Sequence, residues 1–192
     1  RIVNRYLVDP VKVAIESRTT TGENIEQRLV RVDGGAKLEA LSRILEVEPV
    51  DAAIVFVRTR AACTTLMEQL SARGVNVASL SGDLDQSLRE RTIQRLKRGK
   101  VDVLIATDVA ARGLDVPRIT HVFNYDLPQD SEAYTHRIGR TGRAGRTGIS
   151  ITFVGFREGR KAGWIEQATG QKMSEMEVPD EAAIRAHRDE VF

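Results

Sequence analysis

Short apolar segments alternate along the chain with amphipathic segments of helical length. Most of the apolar segments are nearly continuous runs of β-branched and aliphatic residues, which is typical of strands buried on both faces of a parallel sheet. The predicted strands are 25–32, 53–57, 75–80, 101–106, 120–124 and 149–154.

Between the strands, apolar residues recur at helical spacing. The predicted helices are 37–45, 60–73, 86–98 and 131–138. Thr59 and Asp85 stand where N-caps belong, and Gly74 and Gly99 stand at C-terminal ends. Strands alternating with helices predict an α/β fold, with a doubly wound, mostly parallel sheet flanked by helices.

The two flanks of this alternating region differ from it. Residues 1–24 include a polar, turn-rich stretch that is typical of a linker. Residues 157–192 predict a short helical extension, with one helix around Trp164, a break at Gly170 and a second helix after Pro179. Trp164 is expected to pack the extension onto the domain rather than to stack on a base.

The sequence excludes several classes of protein. The longest apolar run, 52–57, is far shorter than a membrane span, so no membrane contact is predicted. Arg1 in place of an initiator methionine indicates a fragment. The single cysteine, Cys63, is expected in the core and indicates a reducing, cytoplasmic compartment. His121 and His187 lack partners at ligand spacing, so no metal site is predicted.

Charge is unevenly distributed, although the formal net charge is only +2. Six bases and a single acid occupy 89–100, and arginines without acids occupy 137–146. The last 22 residues carry six acids and three bases. Two basic blocks offset by an acidic tail indicate a localised anionic ligand.

Three loops follow predicted strands and combine hydroxyl, glycine or acidic residues with nearby bases. They are 58–60, 81–83 and 107–108, with Arg89 and Arg112 close by in sequence. Parallel connectivity places all three at one edge of the sheet, where α/β folds bind ligands. Because aromatic residues make up only 5% and form no stacking platform, the loops are expected to read a nucleic-acid backbone without sequence preference.

A structural role for the same loops stays open. Thr59, Asp85 and Asp108 can each simply cap a helix. The three aligned loops and their arginines favour the nucleic-acid interpretation over capping alone.

The segment 136–143 has the most specific chemistry, because Arg137, Arg140 and Arg143 are separated by small residues. Guanidinium groups bind phosphate bidentately and stay charged at physiological pH. Nothing in the sequence pairs these charges, so a core role is not expected. Since no GxxxxGK[ST] loop occurs to hold a triphosphate, another domain is expected to complete the site.

Four segments together resemble motifs IV, IVa, V and VI of the DEAD-box RNA helicases, in the order of that family. The segments are 54–60, 81–89, 106–115 and 134–143. The resemblance implies a RecA-like fold over 25–156, preceded in 1–24 by the end of a first helicase domain and an interdomain linker. The extension 157–192 is more weakly similar to that of bacterial cold-shock and ribosome-assembly members.

The family resemblance also implies roles for individual residues. Arg140 and Arg143 become catalytic arginine fingers that also contact ATP, together with Asp115 and Gly113. The residues implied in RNA binding are Thr59, Gly82, Gln86, Arg89, Thr107 and Arg112. Those implied in coupling the two helicase domains are Asp108, His136 and Arg137.

By this resemblance the chain is the C-terminal half of an ATP-dependent RNA helicase. Its partners are RNA, as single strand or duplex, and the N-terminal helicase domain, which holds most of the ATP and Mg²⁺. Without Walker A and Asp-Glu-Ala-Asp motifs, the fragment alone is expected to be inactive. Two alternatives stay open, a nucleic-acid-binding module without ATPase and half of a superfamily 2 DNA helicase. The oligomeric state is not predicted.

Overall fold

The computed structural model describes residues 24–191, which form seven strands and six α-helices. The segment predicted as a linker therefore lies outside the described residues, apart from Asn24. The strands are β1 (Ile25–Arg31), β2 (Ala52–Phe56), β3 (Val77–Leu80), β4 (Val103–Ala106), β5 (Ile119–Asn124), β6 (Gly148–Val154) and β7 (Ser174–Glu175). The helices are α1 (Lys37–Val47), α2 (Arg60–Ala72), α3 (Gln86–Lys97), α4 (Ser131–Ile138), α5 (Gly159–Thr169) and α6 (Glu181–Val191).

All seven strands belong to one parallel sheet, in the order β3-β4-β2-β5-β6-β1-β7. This confirms the α/β, doubly wound fold class. Strand β7, which pairs with Arg28 and Leu29 of β1, was not expected, because two residues are too few to show a pattern.

The central strand β2 shows how the two layers form. Successive side chains of a strand point to opposite faces. Ala53 and Val55 join the core under α1 and α2, whereas Ile54 and Phe56 join the core under α3 and the loop that follows β4. Helices α4 and α5 cover the β1 end of the sheet. Every side chain of β2 is buried, which is why the strand is a continuous apolar run.

Strands β3 and β4 begin two residues later than the apolar pattern predicts. The backbone N–H of Val75 donates to Leu70 at the end of α2, and that of Val101 donates to Arg95 near the end of α3. Both valines therefore close helix ends instead of pairing in the sheet. Gly74 and Gly99 adopt the positive φ that these turns require.

The extension after β6 packs on the domain through aliphatic side chains. Helix α5 buries Ala162 and Ile165, ends at the left-handed Gly170, and lies against α4. Helix α6 buries Ile184, and its Arg188 binds Glu46 of α1 at 2.5 Å. The expected packing role of Trp164 is wrong, because this side chain is 65% exposed. In the described part of the chain, no helix is long and apolar enough to cross a membrane.

Candidate nucleic-acid and nucleotide sites

The loops after β2, β3 and β4 lie side by side, because these strands are neighbours in the sheet. We call residues 58–60, 81–83 and 107–112 the carboxyl-edge loops. Thr59 is exposed, and its Oγ1 accepts from the backbone N–H of Ala62 at 3.1 Å. Gly82 is exposed, and a Cβ built on it meets no atom within 4 Å. Thr107 lies deeper, with 9% of its surface exposed.

Two arginines near these loops differ in their surroundings. Arg112 is exposed. Arg89 is half-buried, and its guanidinium donates to the backbone carbonyls of Ala110 and, at 3.0 Å, of Arg112. Arg89 therefore fixes the loop after β4, whereas Arg112 is presented to solvent by it. The exposed Gln86 donates to Glu90 at 3.1 Å within α3.

Two of the three residues that the sequence offered as simple helix caps do cap a helix. Thr59 caps α2, and Asp85 caps α3 by accepting from Leu88 N at 2.8 Å. Asp108 does not cap a helix, because the chain forms turns after β4. The Asp108 carboxylate binds Arg137 instead, with Arg137 Nε at 2.6 Å from Oδ1 and a second nitrogen at 2.9 Å from Oδ2.

Arg137 is the most buried arginine of the segment 136–143, with 2% of its surface exposed. Besides Asp108, it donates to the backbone carbonyl of Asp126 at 2.6 Å and to Asn124 Oδ1 at 3.3 Å. Its guanidinium also lies 5.1 Å from the ring centre of Phe56. The expectation that nothing pairs the charges of this segment is therefore wrong at Arg137. Its partners lie in the loop after β4 and at the end of β5 or just beyond it.

The other two arginines of the segment, Arg140 and Arg143, lie near Asp115, at a site separate from that of Arg137. We call residues 139–146 the arginine loop. Arg140 donates to the backbone carbonyls of Leu114 at 2.8 Å and His136 at 3.2 Å. Arg143 donates to the carbonyl of Gly139 at 3.0 Å and lies 3.6 Å from the exposed Asp115 carboxylate.

The arginine loop is anchored towards the amino ends of the strands. Thr141 Oγ1 donates to the carbonyl of Ile119, the first residue of β5, at 2.6 Å. Asn24 donates to the carbonyls of Gly142 and Arg146 just before β1 begins. Gly148 has no room for a side chain, because a Cβ there would lie 2.5 Å from Thr141. The loop is therefore held away from the carboxyl-edge loops.

Arg140 carries a positive charge in a half-buried place. Burial, and then the charge of Arg143, lowers the pKa of its guanidinium, while Asp115 opposes this. An arginine side chain nevertheless stays protonated at physiological pH. Among residues 24–191, no carboxylate lies within 4.0 Å of the Arg140 guanidinium. This arrangement suits an incoming phosphate oxygen.

The remaining expected site residues take separate places. Gly113 adopts a positive φ of 73° in the turn before Asp115. His136 is exposed near the end of α4. Over the described range, no three His, Cys, Asp or Glu side chains are grouped as metal ligands. Asn24 and Asn124 were not expected from the sequence; for Asn124, the available signal was a polar residue at the end of an otherwise largely buried strand.

Comparison with known proteins adds independent information. A family model described as the helicase conserved C-terminal domain matches residues 36–145. The ATP-dependent RNA helicase DeaD of Mycobacterium tuberculosis is 50% identical over 184 residues, which cover 96% of this chain and 32% of that protein. The chain thus spans about a third of the length of the curated relatives it matches.

Two solved structures share the fold. The Escherichia coli DEAD-box protein SrmB, bound to regulator of ribonuclease activity A, superposes with a TM-score of 0.75 at 39% identity, covering 80% of this chain and 91% of that one. Saccharomyces cerevisiae Dbp5, bound to RNA and ADP BeF3, gives a TM-score of 0.78 at 32% identity, covering 87% and 45%.

Proposed function

Because the chain belongs to the helicase conserved C-terminal domain family, on its DEAD-box branch, we propose that it is the C-terminal half of an ATP-dependent RNA helicase. The division implied by the sequence is part of the proposal, with a linker in 1–24, the RecA-like domain in 25–156 and an extension in 157–192. One observation carries the proposal. A single domain presents exposed loops suited to a nucleic-acid backbone. At a separate place it holds two arginines beside Asp115: Arg143 lies 3.6 Å from the Asp115 carboxylate, and Arg140 donates to the Leu114 carbonyl.

The carboxyl-edge loops bind the RNA backbone in this proposal. Thr59 and Gly82 are exposed there, and Arg112 supplies a positive charge. Phosphate and sugar contacts of this kind hold a strand without reading its bases. RNA is favoured over DNA as the substrate because the relative that matches almost the whole chain is named an RNA helicase. The cytoplasmic location expected from the sequence belongs to the same proposal.

The arginine loop serves ATP hydrolysis. ATP supplies the phosphoryl group that is transferred to water. Arg140 and Arg143 direct their guanidinium charge at the developing negative charge on the γ-phosphate, a contribution worth about 10³- to 10⁵-fold in rate for arginine fingers. Asp115, exposed beside the turn at Gly113, accepts hydrogen bonds from the ribose. The N-terminal helicase domain holds most of the nucleotide and the Mg²⁺.

Arg137 and Asp108 connect the two sites. Asp108 belongs to a carboxyl-edge loop, whereas Arg137 is in the last turn of α4, directly before the arginine loop. A shift of this carboxyl-edge loop on RNA binding therefore changes the hydrogen bonds that Arg137, in α4, donates to Asp108. Together with the exposed His136, this pair couples RNA binding to the closing of the two helicase domains.

The finger assignment is tested in the protein that contains both helicase domains. Arg140→Ala is expected to lower the rate of ATP hydrolysis by about 10³-fold or more while ATP binding persists. Arg146→Ala is the matched control, because Arg146 is an exposed arginine of the same loop and is expected to leave the rate unchanged. An unchanged rate in Arg140→Ala would overturn the finger assignment, whereas RNA binding without any hydrolysis by the unaltered two-domain protein would favour a binding module without ATPase.

A further inference from the structure

Two aromatic side chains beyond the conserved-domain match are exposed to solvent. Phe156, in the turn after β6, is 81% exposed, and Trp164, on α5, is 65% exposed. Neither is needed for packing, since α5 is anchored by the buried Ala162 and Ile165. Exposed aromatic side chains are the groups on which the bases of single-stranded nucleic acids stack.

Three cationic residues lie close to these aromatics in the sequence. Arg157 and Arg160 are exposed, and Lys161 is half-exposed. Arg160 and Trp164 are four residues apart on α5 and therefore share one face of the helix. Within residues 24–191, no carboxylate forms a salt bridge with any of the three cations. The surface therefore carries positive charge that suits an anionic partner.

The acids nearest in sequence accept backbone hydrogen bonds. Glu158 accepts from the backbone N–H of Gly155 at 3.0 Å, and Glu166 accepts from that of Met173 at 2.9 Å. The turn itself is tied down, because Asp33 accepts from the backbone N–H of Phe156 at 3.1 Å. A side chain at position 155 would require Asp33 to move, since a Cβ built on Gly155 would lie 2.8 Å from Asp33 Oδ1. The aromatic groups are thus presented on a fixed backbone.

The position of the turn relates it to the proposed RNA site. It follows the carboxyl end of β6, and β6 is separated from β2 by β5 alone. With neighbouring strands about 4.8 Å apart, the turn lies about 10 Å along the sheet from the carboxyl end of β2. A strand bound at the carboxyl-edge loops can therefore continue towards this turn.

We propose that Phe156 and Trp164, with Arg157, Arg160 and Lys161, form a stacking surface for single-stranded RNA. We call these five residues the aromatic turn. Aromatic rings stack on any base, and neighbouring cations bind the phosphates, so such a surface holds single strands without sequence preference. The proposal rests on the RNA-binding part of the proposed function and extends it to a second contact.

Trp164 is the only tryptophan of the sequence, which makes its fluorescence a direct probe. Titration of the 192-residue chain with short single-stranded poly-U is expected to quench this fluorescence at the same RNA concentration that saturates the binding measured by anisotropy. Trp164→Ala and Phe156→Ala are each expected to weaken binding about five- to tenfold. Trp164→Phe retains a ring and is expected to bind nearly as the parent does.

Removal of the charge tests the second half of the surface. Replacement of Arg157, Arg160 and Lys161 by alanine is expected to reduce the slope of log K against log salt by about 2. Arg185→Ala is the matched control, because Arg185 is an exposed arginine of α6 in the acidic tail. It is expected to leave both the affinity and the slope unchanged.

The outcomes separate this proposal from the one on which it rests. RNA binding without quenching, and with unchanged affinity in Trp164→Ala, would overturn the aromatic turn and leave the proposed function standing. An absence of RNA binding by the parent and all variants would overturn both. Quenching by an added N-terminal helicase domain, but not by RNA, would identify the surface as a protein contact and would also overturn the proposal.

Discussion

The carboxyl-edge loops and the arginine loop place arginines in opposite ways. Arg112 of the first region is exposed. Arg140 of the second is half-buried and donates to two backbone carbonyls, of Leu114 and His136. An exposed arginine binds a phosphate as a mobile charge, which suits an RNA that slides and exchanges. An anchored arginine keeps one position, which suits a transition state that forms at one point.

Glycines of the two regions also differ in what surrounds them. Gly82 faces open space, and in the proposed function this space admits the RNA backbone. Gly148, behind the arginine loop, is required by the fold itself, because Thr141 fills the space where a side chain would stand. Substitutions in the first region are therefore expected to affect binding, and those in the second to affect both position and folding.

The largest expected effect within this domain comes from Arg137, which joins the two regions. Arg137→Ala removes the hydrogen-bond donor from the buried Asn124 side chain and from the partly buried Asp126 carbonyl. We expect a loss of about 2–4 kcal/mol in the free energy of unfolding, measured by urea denaturation. Asp108 adds little to this loss, because nearly half of its side chain reaches water.

Two further variants test whether the loss of stability is specific to the Arg137 guanidinium. Arg137→Lys keeps the charge but not the paired hydrogen bonds, and we expect it to recover part of the stability. Arg146→Ala changes an exposed arginine and is expected to cost less than about 0.5 kcal/mol. Equal stabilities of Arg137→Ala and the parent chain would show that the two regions are not connected through this side chain.

A smaller effect distinguishes two arginines in and near the carboxyl-edge loops, Arg112 and Arg89. Arg112→Ala is expected to weaken RNA binding severalfold and to lower the salt slope by about 0.7, with the unfolding free energy unchanged. Arg89→Ala also loses two hydrogen bonds to backbone carbonyls, so we expect a further cost of about 1–2 kcal/mol in stability. If the two variants had the same stability, the distinction between a supporting and a presented arginine would be wrong.

The fold could be predicted from the sequence because burial on both faces leaves strands such as β2 and β4 continuously apolar. The ends of elements were harder to predict. Val75 and Val101 fit a strand by composition, but hydrogen bonds to preceding helices decide their place. Helix α4 has the ends predicted for it, and in the structure Asp130 caps its start and Gly139 follows its end.

The candidate sites could be predicted from the sequence only where charged residues fall in loops that follow neighbouring strands. Three loops after neighbouring strands could be expected at one edge of the sheet, and the structure brings them together. The burial of Arg137 could not be expected, because Asp108, Asn124 and Asp126 are distant in sequence. The exposure of Trp164 was equally hidden, since a tryptophan on an amphipathic helix usually packs inwards.

In the proposed function, this domain provides half of an active site. The most direct measurement is RNA-stimulated ATP hydrolysis by the purified 192-residue chain, compared with the same chain joined to its N-terminal helicase domain. We expect no hydrolysis above the buffer background from the chain alone, and RNA-stimulated turnover from the joined protein. Robust turnover by the chain alone would contradict the claim.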